Sequence, residues 1–476
     1  MFDMLGNLKP AISKDEIAKL LCTSPETLET FEAAYAKYAL SKESDDFFEM
    51  NSRQAAEEKH SVEELAATNG MVDTHEEIRK LQRRIVDELL AQTQTFVYDG
   101  KQAKSFTPKA LSAGTKFVDN SEINSLPEGL RPQLAGNLMK VDITEPSYPQ
   151  ILYFYKRFKS SKNKKFYNLF RQGMDILDLD PVTYEIIGMN LNSMGHWLPQ
   201  LINACSGQDF FKIPATVIAK VPMPLLQLTR QEYMSMTQTT LDIINEWAHE
   251  AFLLNDEKGY FIKTGTYSSK FDFRNAYVHG TKEVRELGEY LLYIHYQALQ
   301  MAGPLCKPCI YGVSTTNEWV VREFIPDKEN NPCIYKGLPL HTEYRIFVDC
   351  DVDRVIGIMP YWEPETMKKR FGHSEDSDSP HQIHDYVIYK MHENVLMGRY
   401  QENKERVRSH IESILPDLDL HGQWSIDIMQ NGEEFWLIDM AIAENSAFYE
   451  CVPKKLRNPR QENWIPKLSN LTSSHD

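Results

Sequence analysis

Trp424-Ser425-Ile426-Asp427-Ile428-Met429 and Phe435-Trp436-Leu437-Ile438-Asp439-Met440 read as two β-strands. Asn431-Gly432 between them is a hairpin signal, and Glu433 and Glu434 lengthen the expected turn. Each strand carries one carboxylate among apolar side chains, which is costly to bury unless it is paired or holds a cation. Adjacent antiparallel strands can point Asp427 and Asp439 at one place, and Glu444-Asn445 soon adds further oxygen donors. Such hard donors suit magnesium, which takes few carboxylates and completes its shell with substrate phosphates. The competing reading has the two acids capped by backbone N–H groups at strand ends.

Upstream, Glu343-Tyr344-Arg345-Ile346-Phe347-Val348 alternates. Glu343, Arg345 and Phe347 fall on one face of a strand, Tyr344, Ile346 and Val348 on the other. Arg345 can therefore aim a guanidinium at phosphate oxygens; a solvated arginine is the plain alternative. Trp319-Val320-Val321-Arg322-Glu323-Phe324-Ile325 is a buried-type strand interrupted by a charged pair. It reads either as an Arg–Glu pair at a strand edge or as a hinge whose backbone and Glu323 bond an adenine or ribose. Lys263 ends the strand Gly259-Tyr260-Phe261-Ile262-Lys263 and opens Thr264-Gly265-Thr266-Tyr267-Ser268-Ser269-Lys270. Small hydroxylated residues there let backbone N–H groups approach an anion, and the lysine adds a point charge. One glycine without P-loop spacing makes this a weak signal alone.

Thr216 to Lys220, Val352 to Met359 and the stretches above give strands; Leu241 to Phe252, Lys282 to Met301 and Glu402 to Leu415 give helices. Helices mixed with hairpin-linked strands indicate α+β architecture. The first third reads as helical. Ser13, Ser61 and Thr74, each with a glutamate three residues on, fit capping boxes, and Ser24-Pro25 is a further helix start. Ile78, Leu81, Ile85 and Leu89, like Leu28, Phe31, Tyr35 and Tyr38, fall on single helical faces and read as core. Another helical stretch is expected from about Tyr153 to Cys205.

The chain has 476 residues, 42% hydrophobic and 25% charged, which suits a folded protein with a sizeable core. No apolar run is long enough for a membrane span. Met1-Phe2-Asp3-Met4 lacks a secretory signal, and seven cysteines are no disulfide framework, so a cytoplasmic location is expected. Lys plus Arg is 52 against 68 Asp plus Glu, a net charge of −16 that counts against nucleic acid as a partner. The local exception, Lys156 to Lys165 with interleaved aromatics, reads as a solvated face. Cys306-Lys307-Pro308-Cys309 is a lone CxxC, since Cys333 and Cys350 lack close partners for a zinc ribbon. His373, His381, His384 and His392 flank a polar segment that reads as a mobile insertion between strands.

The order of these motifs resembles the ATP-grasp superfamily over about 212–450. The Glu-x-Arg strand is most similar to a divergent clade marked by one arginine and two lysines. That clade includes a eukaryotic assembly protein for a translation initiation factor as well as phage and bacterial members. The resemblance implies an α+β, ATP-grasp-like module of two lobes with the nucleotide between antiparallel sheets, which follows the N-terminal region read above as mainly helical. Together these readings divide the chain at 1–150 (helical accessory region), 151–230 (connector), 231–330 (N-lobe), 331–452 (C-lobe) and 453–476 (basic tail). It implies ATP and Mg²⁺ as cofactors. Lys220, Lys263, Ser268 and Ser269 would hold phosphates, and Glu323, Phe324 and Ile325 the adenine. Arg345 would reach the phosphates or an acyl phosphate, and Asp427, Asp439 and Asn445 the metal. One departure stands out: Ala441 occupies the usual asparagine position after Asp439, so either the strand bulges or the site has lost a ligand. The implied activity is an ATP-dependent carboxylate–amine ligase working through an acyl phosphate, with a protein or peptide as one acceptor class. An ATP-binding assembly chaperone without turnover and a kinase-like phosphoryl transferase are the alternatives.

Overall fold

The computed structural model describes residues 71–101, 103–108, 118, 120–133, 184, 187–188, 190–230, 236–302, 316–371 and 380–457. The helix starts at Ser13, Ser24 and Ser61, the basic stretch at 156–165, the CxxC pair and most of the basic tail lie outside these residues.

Two sheets organise the described chain. The first holds six strands in the order β2-β1-β4-β7-β5-β6: β1 (Gln94–Tyr98), β2 (Ala103–Phe106), β4 (Thr216–Lys220), β5 (Tyr260–Thr264), β6 (Tyr277–Val278) and β7 (Glu318–Glu323). All its pairings are antiparallel. The second runs β11-β10-β12-β13-β3, with β3 (Phe211–Lys212), β10 (Thr342–Asp349), β11 (Arg354–Pro360), β12 (Gln423–Asn431) and β13 (Glu434–Ile442). It is antiparallel except where β13 meets β3. A small ribbon of β8 (Cys333–Ile334) and β9 (Leu338–Pro339) stands apart from both. This is the mixed α+β arrangement with antiparallel sheets that the alternating strands predict.

Helices pack on both sheets. α1 (Met71–Gln92), α3 (Gln238–Ala251) and α4 (Leu287–Ala302) pack on one face of the first sheet, where Ala219, Ile262, Trp319 and Val321 point. Ile78, Leu81, Ile85 and Leu89 are all buried there, as their spacing requires. Trp247 and Trp319 are fully buried, and each indole N–H finds a partner, in Thr93 Oγ1 at 2.9 Å and His295 Nδ1 at 3.0 Å. Burying one such side chain contributes up to about 3 kcal/mol, and the bonded N–H avoids the cost of an unmet donor. On the second sheet, Tyr344, Ile346, Val348, Trp424, Ile426 and Ile428 face α5 (Pro380–Ile414) and α2 (Met194–Ala204).

The structure corrects several expectations. The stretch after residue 91 supplies β1 and β2, so it joins the first sheet instead of standing as a helical accessory. α1 is already helical at Met71, ahead of the Thr74 capping box. The helix expected over Lys282 to Met301 is broken at Glu286 into Gly280–Arg285 and α4. His384 and His392 lie on α5, which begins at Pro380, while 372–379 lies outside the described residues. The hairpin is tighter than expected: Asn431 pairs with Glu434, leaving Gly432 and Glu433 at the tip. Gly432 takes φ +64°, a left-handed conformation that favours glycine.

Candidate functional site

The acidic strands meet at a bulge. Asn431↔Glu434 through Ile428↔Leu437 pair regularly, and the register then shifts so that Asp427 faces Asp439. Ile438 is the extra residue. Strict alternation would put Asp439 beside Leu437 in the core, whereas the bulge turns it to the face that carries Asp427. Both acids and Ile438 line a cleft between the two sheets.

The first sheet supplies the cations. Lys263 and Arg322 lie on the same face as Val320, with Phe261 opposite Arg322 in the register. Lys263 is almost fully buried and its Nζ donates to Asp439 Oδ1 at 3.1 Å. Burial pushes the Lys263 ammonium below its usual range, with Asp439 pulling the other way. Burial also works against the Asp439 carboxylate, but Lys263, Lys270 and Arg322 together hold it below the usual carboxylate range. Arg322 donates Nε to Thr216 Oγ1 and Nη1 to the Ile438 carbonyl; its Nη2 is buried without an acceptor among the described residues. Burial lowers this guanidinium to about 10.

Beyond Lys263 the small-residue loop folds as a hydroxyl-capped turn. Thr264 Oγ1 accepts the N–H groups of Thr266 and Tyr267, and Gly265 N donates to the Glu318 carbonyl. Those three N–H groups are therefore committed within the fold, contrary to the expectation that this backbone greets an anion. The loop instead delivers Ser268 and Lys270 to the cleft. Lys270 Nζ donates to Tyr361 Oη and lies 4.5 Å from that ring's centroid, while Arg345 Cζ lies 4.7 Å from the same centroid. Burial alone would lower Lys270, but Tyr361, Glu343 and Asp427 hold it above its usual value.

The second sheet places Glu343 on the cleft face, opposite Met429 in the register. Burial pushes its carboxyl up to about 7; Lys270 and Arg345 oppose the shift and Asp427 adds to it. Arg345 grips Asp427 with two bonds, Nε to Oδ1 at 2.8 Å and Nη2 to Oδ2 at 2.6 Å. This fork geometry is the strong form of a carboxylate pair. The rest of the lining is largely apolar, with Pro214, Phe273, Phe324, Ile325, Leu338 and Met429. Phe324 stacks on Tyr277 with centroids 3.9 Å apart.

The cleft thus brings together Lys263, Ser268, Glu323, Phe324, Ile325, Asp427 and Asp439 from the sequence reading. Arg345 joins through its bond to Asp427. Glu323 pairs with Lys258 at 3.1 Å and not with its neighbour Arg322. Three residues lie elsewhere. Ser269 turns to Gln297, Lys220 lines a separate cavity, and Asn445 sits in a short turn past β13 and does not line the cleft. Arg322, Lys270, Glu343 and Tyr361 are among the lining residues that the sequence left unassigned. Glu343 had a signal, since alternation puts it on the face of Arg345; Tyr361 had none. Among the described residues no group of three or more His, Cys, Asp or Glu side chains is placed to hold a metal.

Two solved structures are similar to this chain at low identity. Cdc123 from Schizosaccharomyces pombe aligns with 56% of this chain and 93% of its own, at 14% identity and a TM-score of 0.32. Its C-terminally truncated form aligns with 57% and 94%, at 14% identity and a TM-score of 0.33. No protein-family profile and no curated protein matches the chain. No helix among the described residues is long and apolar enough to cross a membrane.

Proposed function

We propose that the cleft binds ATP and that the protein is an ATP-dependent carboxylate–amine ligase. The observation that carries this reading is a concentration of buried cations. In a chain of net charge −16, one cleft gathers Lys263, Lys270, Arg322 and Arg345 among the acidic side chains Glu323, Glu343, Asp427 and Asp439, beside apolar and aromatic residues. Cations for phosphate oxygens together with apolar and aromatic surface for a ring match a nucleoside triphosphate. The motif order shared with the ATP-grasp superfamily supports the same assignment.

In this reading Phe324, Ile325, Phe273 and Met429 enclose the base. Lys263, Lys270 and Arg322 hold phosphate oxygens, and Arg322 gains the acceptor that its Nη2 lacks. An acceptor carboxylate attacks the γ-phosphorus; the bond to the β-γ bridging oxygen breaks, and ADP leaves an acyl phosphate. An amine then attacks the acyl carbon, loses a proton and expels inorganic phosphate. The protein's part is positioning and charge neutralisation in a sheltered cleft, so no side-chain nucleophile is needed.

Magnesium fits the donor set in part. Asp439 is 43% exposed along its side chain, and only one of its oxygens is engaged, by Lys263. Asp427 has both oxygens on Arg345. Asp439 would therefore hold a cation that neutralises charge on the phosphate oxygens, and Asp427 would join only on leaving Arg345. This same clamp favours a second reading, an assembly chaperone that binds nucleotide without turnover.

Calorimetry with ATP, with and without magnesium, tests the site. Lys263→Ala and Asp439→Ala should each weaken magnesium-ATP binding by about tenfold or more; unchanged affinity in both removes the assignment. Phosphate release coupled to a new amide mass marks the ligase. Binding without turnover across a broad acceptor panel marks the chaperone, and phosphate retained on the acceptor marks a kinase.

A further inference from the structure

Lys220 and Glu318 are direct cross-strand partners on β4 and β7, and the Lys220 charge favours the Glu318 carboxylate, yet the two groups do not meet at ion-pair distance among the described residues. Opposed side chains at such positions are close enough to meet, and opposite charges ordinarily do so. Here each is drawn away from the other. Glu318 Oε2 accepts Ser193 Oγ at 2.6 Å and the Gly195 N–H at 2.9 Å, capping the first turn of the eleven-residue helix α2. Lys220 Nζ lies 5.9 Å from the centroid of the Phe96 ring. Between them lies a cavity of about 190 Å³, separate from the cleft and lined by both residues together with Tyr98, Ser193 and Gly195.

Three polar groups in this lining have no hydrogen-bond or ion-pair partner among the described residues: the Lys220 ammonium, Glu318 Oε1 and the Tyr98 hydroxyl. Tyr98 is 3% exposed and Glu318 4%, while Lys220 is half-buried, so the cavity is where the two buried groups can find further partners. Burial raises both the Tyr98 hydroxyl and the Glu318 carboxyl above their usual values. The space is kept open by sequence: a Cβ on Gly195 would lie 2.3 Å from Glu318 Oε1. The volume is several times the share of about 30 Å³ that one liquid water occupies.

We infer that this cavity is a second ligand site, built for a small zwitterion of α-amino-acid type that carries both an anionic group and a protonated amine. A purely anionic ligand would meet the Glu318 carboxylate, and a purely cationic one the Lys220 ammonium. A ligand bearing both signs satisfies each: its anion bonds Lys220 and the Tyr98 hydroxyl, and its ammonium bonds Glu318 Oε1. Buried charges are tolerated when paired in this way. The cavity and the cleft share no lining residue. The cavity meets the cleft's loop through Ser193 and Glu318: Gly265 N donates to the Glu318 carbonyl, and a Cβ on Gly265 would lie 2.2 Å from Ser193 Oγ and 3.0 Å from Glu318 Oε2.

The test is calorimetry on the full chain with individual free proteinogenic amino acids at millimolar concentration, followed by the N-acetyl and carboxamide forms of any that bind. At least one free amino acid is expected to bind, with both blocked forms weaker by about tenfold or more. Lys220→Met and Tyr98→Phe should weaken it similarly while leaving the melting temperature and the ATP titration unchanged. Tyr98→Phe removes only a hydroxyl and guards against misfolding in the first variant. Absence of binding by every amino acid, or binding that survives both variants, overturns the proposal. So does a Lys220→Met protein that loses ATP instead, which would return the lysine to the nucleotide.

Discussion

Asp427 and Asp439 face one another across the last hairpin because a single residue, Ile438, is bulged out of the ladder. The bulge does two things at once. It switches the parity of β13 so that an acid two residues beyond buried Leu437 reaches the cleft, and it presents the Ile438 carbonyl to Arg322. The bulged strand also answers the departure noted at Ala441. The strand does bulge, but upstream of Asp439, and Asn445 still ends outside the cleft.

Glu343 should make both stability and ligand binding depend on pH. Its carboxyl sits at about 7 in the fold, chiefly through burial, against an ordinary value of 4.5. Between these values the native state holds a proton that the unfolded chain has lost, so its contribution to stability is full below 4.5 and is lost as pH rises to 7. Glu343→Gln should flatten the melting temperature between pH 5 and pH 8 and raise it at the upper end. Triphosphate affinity should fall as the carboxylate forms, by at most about tenfold per pH unit, and the variant should abolish that slope.

The Arg345–Asp427 pair should behave as a buried couple. Their side chains are 12% and 6% exposed. Removing either partner alone strands a charge, so Asp427→Ala or Arg345→Ala should cost about 3 kcal/mol in urea unfolding. The double variant should cost less than the sum of the singles, and strict additivity would show that the pair is not coupled.

Phe324→Ala should separate base binding from phosphate binding in the cleft. It removes the ring stacked on Tyr277 and leaves the lysines in place. ATP binding should weaken by roughly tenfold, in line with about 1 kcal/mol or more for a lost aromatic contact. Inorganic tripolyphosphate, which has no base, should bind as before; equal losses for both ligands would place the base elsewhere.

Gly265→Ala should destabilise the fold. The added methyl would lie 2.2 Å from Ser193 Oγ and 2.8 Å from Thr316 Oγ1, both buried. Overpacking of this kind costs about 1–3 kcal/mol, read as a lower melting temperature.

Strand content in the second half was legible because burial on one face imposes alternation: Tyr344, Ile346 and Val348 go to the core, Glu343 and Arg345 to the cleft. Lys263, Phe324 and Asp427 could be picked out for the same reason, as polar or aromatic residues in or beside apolar strands. Lys220 met the same criterion, yet faces another cavity. A strand shows which face a side chain takes, but not which part of that face a neighbouring helix will cover. Here α2 packs near one end of the first sheet's inner face, on Ile218 and Val320, and leaves Lys263 and Arg322 open to the cleft.

The amino-acid order by itself determined the α+β class, the core-facing sides of the strands and helices, and the acidic hairpin, because these follow from local periodicity and turn chemistry. Only the tertiary structure decided which charges meet. The Ile438 bulge, the fork of Arg345 on Asp427 and the approach of Lys270 to Tyr361 join residues far apart along the chain or depend on a shift in strand register. Periodicity has no means of encoding either.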